Sequence, residues 1–208
     1  DRPAGPRAVV VNGPTSLRVE EIARSWGAEL FRAEVGEANV IDRGYQLEGY
    51  RVVIMGEGSN GGNITPPSQV RDPLSTIGAM IKLARSEAYE AWFEKIGAEA
   101  PQERDLLTLV RALPAYSTTP ANEERALLRI KSENHGELKS AYEELFPDSF
   151  DSKSAWLNQR FGVMSFRFIN YEETHSSEGP GNRHGEEKGG FKVELLDGNG
   201  TPRAFLWM

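Results

Sequence analysis

The chain contains no cysteine in its 208 residues, so disulfides and thiolate metal sites are excluded. Long apolar runs are also missing: none approaches the roughly 20 residues of a membrane span, and no charged stretch leads into an apolar one at the start. A cytoplasmic protein with no membrane partner is the expectation. Positive charge is in deficit, with 24 Lys and Arg against 31 Asp and Glu and a net charge of -7. Nucleic-acid binding rests on clustered cations that neutralise phosphates, so that class of partner is set aside, while a small anionic ligand stays compatible. What is present, 38% hydrophobic and 26% charged residues, suits a globular chain of one large or two small domains. The chain opens at Asp1 and its last strand-like run stops at Met208, which leads us to expect part of a longer protein.

Strands and helices alternate through the first half. Ala8 to Val11 is a short β-branched run, followed by the turn Asn12, Gly13, Pro14 and a helical pattern from Ser16 to Trp26 closed by Gly27. Ala28 to Ala33 and Tyr50 to Met55 are further strands, the second apolar enough for burial on both faces of a parallel sheet. Asp72 before Pro73 signals a helix start, and Leu74, Ile77, Ile81 and Ala84 recur at helical spacing, predicting one long helix to about Ile96. Trp92 and Phe93 are expected in a core or interface. Pro101 to Leu113 reads as a connecting helix and Pro114 to Pro120 as a linker, which divides the chain into an α/β domain over 1–113 and a partial α+β domain over 114–208. In that second part Ala126 to Ile130 is a strand candidate, Glu137 to Phe146 and Ser152 to Phe161 are helical, and Val163 to Asn170, Phe191 to Leu196 and Ala204 to Met208 are strands. Asp197 to Gly200 joins the last two as a hairpin. Glu172 to Gly190 holds almost nothing apolar and is expected to be a mobile surface loop.

The stretch Gly56, Glu57, Gly58, Ser59, Asn60, Gly61, Gly62, Asn63 carries the most chemistry, because loops at the carboxyl ends of parallel strands are where open α/β sheets bind ligands. Gly56 to Gly61 matches the dinucleotide pattern G-x-G-x-x-G. That pattern has to open a helix, however, and here Thr65, Pro66 and Pro67 intervene before the helix at Pro73. A carboxylate, a hydroxyl and an amide among glycines suit a neutral polyol better: Glu57 can accept from two hydroxyls, and glycines let a ring approach the backbone. A solvated glycine turn is the other reading of the same residues.

Gly-Glu-x-Ser, here Gly56 to Ser59, resembles the sugar-binding loop in the third domain of the α-D-phosphohexomutases (phosphoglucomutases and phosphomannomutases). The strand and turn Val9 to Ser16, the turn at Val35 and Gly36, and the pair Arg71 and Asp72 are similar to that family in order and spacing over positions 8–97. Leu113 to Thr119 resembles its interdomain hinge, and Gly190 to Met208 the hairpin leading to the phosphate loop of its fourth domain. The resemblance implies that Glu57 and Ser59 hydrogen-bond the hexose 3- and 4-hydroxyls, with Gly56, Gly58, Asn60 and Arg71 completing the substrate contacts. It implies an isomerase that interconverts hexose 1-phosphate and hexose 6-phosphate through a phosphoserine and a 1,6-bisphosphate. Magnesium would be bound by a domain absent here, and the missing N-terminal domains of the same polypeptide would be partners. The family's serine loop, aspartate-rich metal loop and Ser-Gly-Thr-x-Pro loop have no counterpart in these residues, and Glu37, Ala38 and Asn39 stand where it often has a lysine or histidine. Alone, the chain is expected to be inactive. The alternative is a non-catalytic sugar-phosphate-binding or interaction module.

Lesser candidates lie between 172 and 190. His175 and His184 with Glu173, Glu178, Glu186 and Glu187 have the donor types for zinc or nickel, and Arg183 and Lys188 those for a phosphate, but a solvated loop explains both sets.

Overall fold

The structure is a computed structural model that describes residues 5–57, 63–118, 123–124, 130 and 132–208. It contains two four-stranded sheets. The first is formed by β1 (Arg7–Asn12), β2 (Ala28–Ala33), β3 (Arg51–Gly56) and β4 (Asn63–Ile64) in the order β2-β1-β3-β4. β2 and β3 flank β1 in parallel, and β4 adds antiparallel to β3, so the sheet is mixed. Helix α1 (Leu17–Ser25) places Val19 and Ala23 on the Val9 and Val11 face, while α2 (Glu37–Tyr45) places Val40 on the Val10 and Met55 face. Burial on both faces explains why β1 is continuously apolar.

Helix α2 was not expected from the sequence. Its N-cap is Gly36, which offers no side chain for capping, and Gly44 interrupts its apolar spacing. The backbone at Gly36 has φ 129°, a value glycine adopts readily, and a Cβ on Gly44 would run into the Met55 sulfur. The expected single helix over 72–96 is corrected to two, α3 (Pro73–Arg85) and α4 (Ala88–Lys95), with an extended Ser86 between them. The break lets α4 turn Tyr89, Trp92 and Phe93 into a core with Leu109 of α5 (Leu106–Arg111), as expected for Trp92 and Phe93. Asp105 caps α5, and the Tyr89 hydroxyl donates to its carbonyl at 3.0 Å.

The second sheet is antiparallel, in the order β6-β5-β7-β8, from β5 (Ser165–Glu172), β6 (His175–Glu178), β7 (Phe191–Leu196) and β8 (Pro202–Trp207), with β7 passing β6 to pair with β5. Alternation directs Phe166, Phe168, Phe191 and Val193 to one face, where α6 (His135–Asp151) covers them. α6 was expected to stop at Phe146 but continues through Pro147. The ladder Tyr142, Phe146 and Phe150 stacks on Phe166, Phe168 and Phe191 across both sides of that proline, and this burial outweighs the roughly 3 kcal/mol an interior proline costs. α7 (Ser154–Phe161) ends at Gly162, whose φ of 68° is left-handed. The strand expected at Ala126 to Ile130 lies, except for its last residue, outside the described residues.

The expectation of a surface loop over 172–190 is corrected in part, since the stretch includes a strand, β6. It also folds back on α6: Arg183 pairs with Glu143 at 2.8 Å, the Lys139 ammonium donates to the Glu187 carbonyl at 2.9 Å, and Glu172 accepts from the Gly189 amide at 2.7 Å. Polar anchoring here replaces the apolar burial that the segment lacks. Among the described residues no helix is long and apolar enough to cross a membrane.

Phe168 is 5% exposed at the centre of the aromatic ladder, and Leu145, at the solvent margin of α6, is 71% exposed. Urea unfolding should show a loss of about 3–5 kcal/mol for Phe168→Ala and under about 0.5 kcal/mol for Leu145→Ala. Equal losses would contradict this placement of the core.

Candidate functional site

The chain leaves β1 toward β2 on one side and later reaches β3 on the other, so the carboxyl ends of β1 and β3 bound a topological switch point, where open α/β sheets take their ligands. Asn12 ends β1, and Gly56 ends β3 with Glu57 following. Glu57 Oε1 accepts from the Gly36 amide at 2.6 Å and lies 3.4 Å from Asn12 Nδ2. One carboxylate oxygen thus joins the ends of β1 and β3 to the start of α2. Among the described residues, Glu57 Oε2 has only the Arg71 guanidinium, at 3.7 Å. A carboxylate offers about four acceptor positions, so this oxygen keeps room for hydroxyl donors.

Arg71 precedes the N-cap Asp72 of α3 and reaches back to α2. Its Nε lies 2.9 Å from Glu37 Oε2, and its amide donates to Glu37 Oε1 at 3.0 Å. These bonds, the backbone one first, hold the Glu37 carboxyl below the usual carboxylate range. Glu37 therefore occupies the crevice rim as an anion engaged with Arg71. Asn63 Oδ1 accepts from the Thr76 hydroxyl at 2.6 Å, tying β4 to α3 on the far side of the glycine-rich loop. Of the residues expected to bind substrate, Gly56, Glu57 and Arg71 come together here; Gly58, Ser59 and Asn60 lie outside the described residues. Asn12 and Glu37 were not among the expected contacts. Asn12 had registered only as a turn residue, although an asparagine closing a buried strand was a usable signal.

The turn from Asn12 to Thr15 forms the floor of the crevice. Asn12 is 1% exposed, and its side-chain oxygen accepts from the Thr15 hydroxyl. Arg32, on β2, donates from Nη1 to the carbonyls of Asn12, Gly13 and Thr15 at 3.2, 3.1 and 2.7 Å. Behind this turn the second sheet packs against the first. The Trp207 indole fills the space where Gly13 and Gly190 lack a Cβ, and the Glu34 amide donates to the Glu173 carbonyl at 2.8 Å. Glu34 itself accepts from the Val35 amide at 2.7 Å and from the Gly190 amide; burial pushes its carboxyl upward against those two bonds.

Each unit also carries its own ion pairs near this contact. Arg32 Nη2 lies 3.6 Å from Glu20 of α1, and on β7 the fully buried Lys192 lies 2.8 Å from Glu194, which also meets Arg167 at 2.7 Å. Burial pushes the Lys192 ammonium down to about 8, with Arg32 acting in the same direction and Glu194 against it. Burial works to raise Glu194, but Lys192 and Arg167 hold it below the usual range.

The lesser candidates resolve into structural roles. Arg183 is buried against Glu143, and Lys188 pairs with Glu186. The His175 and His184 rings stack with centroids 4.2 Å apart, and among the described residues no three His, Asp or Glu side chains group so as to hold a metal ion. A surface cavity of about 430 Å³ lined by Arg7, Glu20, Arg24 and Glu29 lies at the amino ends of β1 and β2, at the opposite edge from this chemistry. No family model matches the chain, and no curated protein or solved structure matches it.

Between pH 8 and its ordinary value near 10.5, Lys192 binds fewer protons folded than unfolded. The cost of burying the ammonium is thus fully present below pH 8 and is relieved as the folded-state group deprotonates. In urea unfolding, the wild type should gain on Lys192→Met by up to about 1.4 kcal/mol per pH unit from pH 8 to 10. A gap constant across that window would contradict the buried placement.

Proposed function

We propose that the crevice at the carboxyl ends of β1 and β3 binds the hydroxyls of a hexose phosphate, and that the chain is the sugar-binding part of an α-D-phosphohexomutase. The observation that carries this reading is Glu57: a carboxylate with one oxygen held by Gly36 and Asn12 and the other 3.7 Å from the Arg71 guanidinium. An acceptor fixed in this way presents lone pairs to donors without paying to order itself first, which suits vicinal hydroxyls. Arg71 is near enough to meet an anionic group on the same ligand, and Ser59 would supply a second hydroxyl contact.

The reaction proposed is the interconversion of hexose 1-phosphate and hexose 6-phosphate. In such an enzyme the phosphoserine, the magnesium-binding loop and the phosphate loop belong to other domains, which would be partners of this chain. The part proposed for these residues is to hold the sugar while phosphoryl transfer occurs elsewhere. Adjacent equatorial hydroxyls present similar donors when the ring is reversed, so one carboxylate can serve both orientations of a bisphosphorylated intermediate.

On its own the chain is expected to bind weakly. Two charge-assisted and one or two neutral hydrogen bonds give about 4–8 kcal/mol gross, and association costs about 4 kcal/mol or more, so the dissociation constant should be millimolar or weaker. NMR titration with glucose 1-phosphate and mannose 1-phosphate should move the Gly36 and Glu57 amides, and Glu57→Ala should abolish the response. In a complete mutase containing this chain, Glu57→Ala should lower kcat/KM at least about tenfold with the fold intact. Unchanged titrations or unchanged turnover in Glu57→Ala would remove the assignment. The isolated chain should show no mutase turnover, because phosphoryl transfer needs an in-line nucleophile and surrounding cations that these residues do not bring together.

A further inference from the structure

We infer that Arg32 is a positioning residue that holds the floor of the crevice from behind, in concert with Trp207 of the antiparallel sheet, so that binding at Glu57 depends on the turn these two side chains fix. The part of this that concerns ligand affinity rests on the sugar reading above; the part that concerns the turn does not. Arg32 stands on β2, outside the crevice, with its side chain only 8% exposed. From there one nitrogen, Nη1, serves three carbonyls of a four-residue turn. Two hydrogens shared among three acceptors make a planar clasp, for which an ammonium on a shorter stem is a poor replacement. The same turn carries the Asn12 amide, whose nitrogen lies 3.4 Å from Glu57 Oε1. Any shift of the Asn12 backbone therefore reaches the carboxylate through one side chain.

The other end of Arg32 belongs to an ion pair. Its Nη2 is buried, has no hydrogen-bond partner among the described residues, and lies 3.6 Å from Glu20. It acts electrostatically on Lys192 and on Tyr171, whose hydroxyl is pushed up chiefly by burial. Trp207 of β8 presses on Gly13, at the middle of the turn Arg32 holds, and packs beside Tyr171 with ring centroids 5.3 Å apart. Two independent contacts, the Arg32 clasp from β2 and the Trp207 indole from the second sheet, thus converge on the turn from Asn12 to Thr15. The glycine at position 13 lets the indole sit directly against the backbone, where a Cβ would exclude it. Undocking the second sheet would remove the indole and leave the turn to Arg32 alone, so the floor of the crevice would lose one of its two supports.

The test uses the 208-residue chain with Arg32→Lys, Trp207→Phe and, as a control, Arg24→Lys, a second arginine that pairs with Glu20 at 2.9 Å but does not touch the turn. Amide spectra recorded without ligand report on Gly13 and Thr15, and titration with glucose 1-phosphate reports on affinity. Arg32→Lys should shift and broaden the Gly13 and Thr15 signals while those of Phe168 and Val193 stay in place, and should weaken binding about fivefold, the loss of roughly one net hydrogen bond. Trp207→Phe should disturb the same two amides, so the inference stays testable if Arg32→Lys fails to fold. Arg24→Lys should change neither readout. Gly13 and Thr15 signals that stay in place in the folded Arg32→Lys variant, or an Arg24→Lys response of equal size, would overturn the positioning role. A wild-type chain that ignores glucose 1-phosphate while Arg32→Lys still disturbs the turn would refute the sugar reading and uphold the positioning of the turn by Arg32.

Discussion

The bond from the Gly36 amide to the Glu57 carboxylate is the constraint on which the carboxyl edge of the first sheet depends. Helix α2 begins at a glycine with no side chain to cap it, and a charged acceptor near a helix start is favourable both as a cap and against the helix dipole. Here the acceptor comes from 21 residues away, at the end of a different strand. Because Glu57 is fixed by this bond, Asn12 and Arg71 meet it from two other elements, and the crevice between β1 and β3 acquires one ordered carboxylate. A charged hydrogen bond of this kind contributes about 1.5–3 kcal/mol, comparable with burying a core side chain, so it can hold a loop end that packing leaves loose.

A second level of order comes from behind. The antiparallel sheet is amphipathic across its thickness, with an aromatic ladder under α6 on one face and Arg167, Lys192 and Glu194 on the other. Of these, Lys192 and Glu194 are buried, which is tolerable only because they meet each other and Arg167. Apolar residues of similar volume would pack at least as well there, so these ion pairs add definition of geometry more than they add stability. The second sheet reaches the crevice through Trp207, which ends, like Arg32 of the first sheet, at the turn from Asn12 to Thr15.

Much of the fold was legible from local signals. β1, β2, β3 and α1 follow from apolar runs, the Asn12–Pro14 turn and the Gly27 stop, and α3 starts at the Asp72 and Pro73 signal as expected. The misses have a common cause, which is that tertiary partners overrode local preference. α2 takes its cap from Glu57, α6 runs through Pro147 because Phe146 and Phe150 both reach the sheet, and β6 is a polar strand, His-Ser-Ser-Glu, ordered by pairing with β5. The 172–190 stretch looked unable to fold because its anchors, Glu143 and Lys139, lie on a helix some 40 residues earlier. At the site, residue types pointed to Glu57 and the family resemblance to Arg71, but the roles of Asn12, Arg32 and Glu37 required the topology that brings three strand ends together.

The central claim is that Glu57 presents a prepared acceptor to the hydroxyls of a sugar phosphate at the switch point. A crystal structure of the chain soaked with glucose 1-phosphate at a concentration well above the millimolar range measures this directly. Two adjacent ring hydroxyls should lie within about 3 Å of Glu57, with Oε1 still accepting from Gly36. A sugar bound elsewhere on the chain, or an empty crevice with Glu57 turned away from Gly36, would contradict the account.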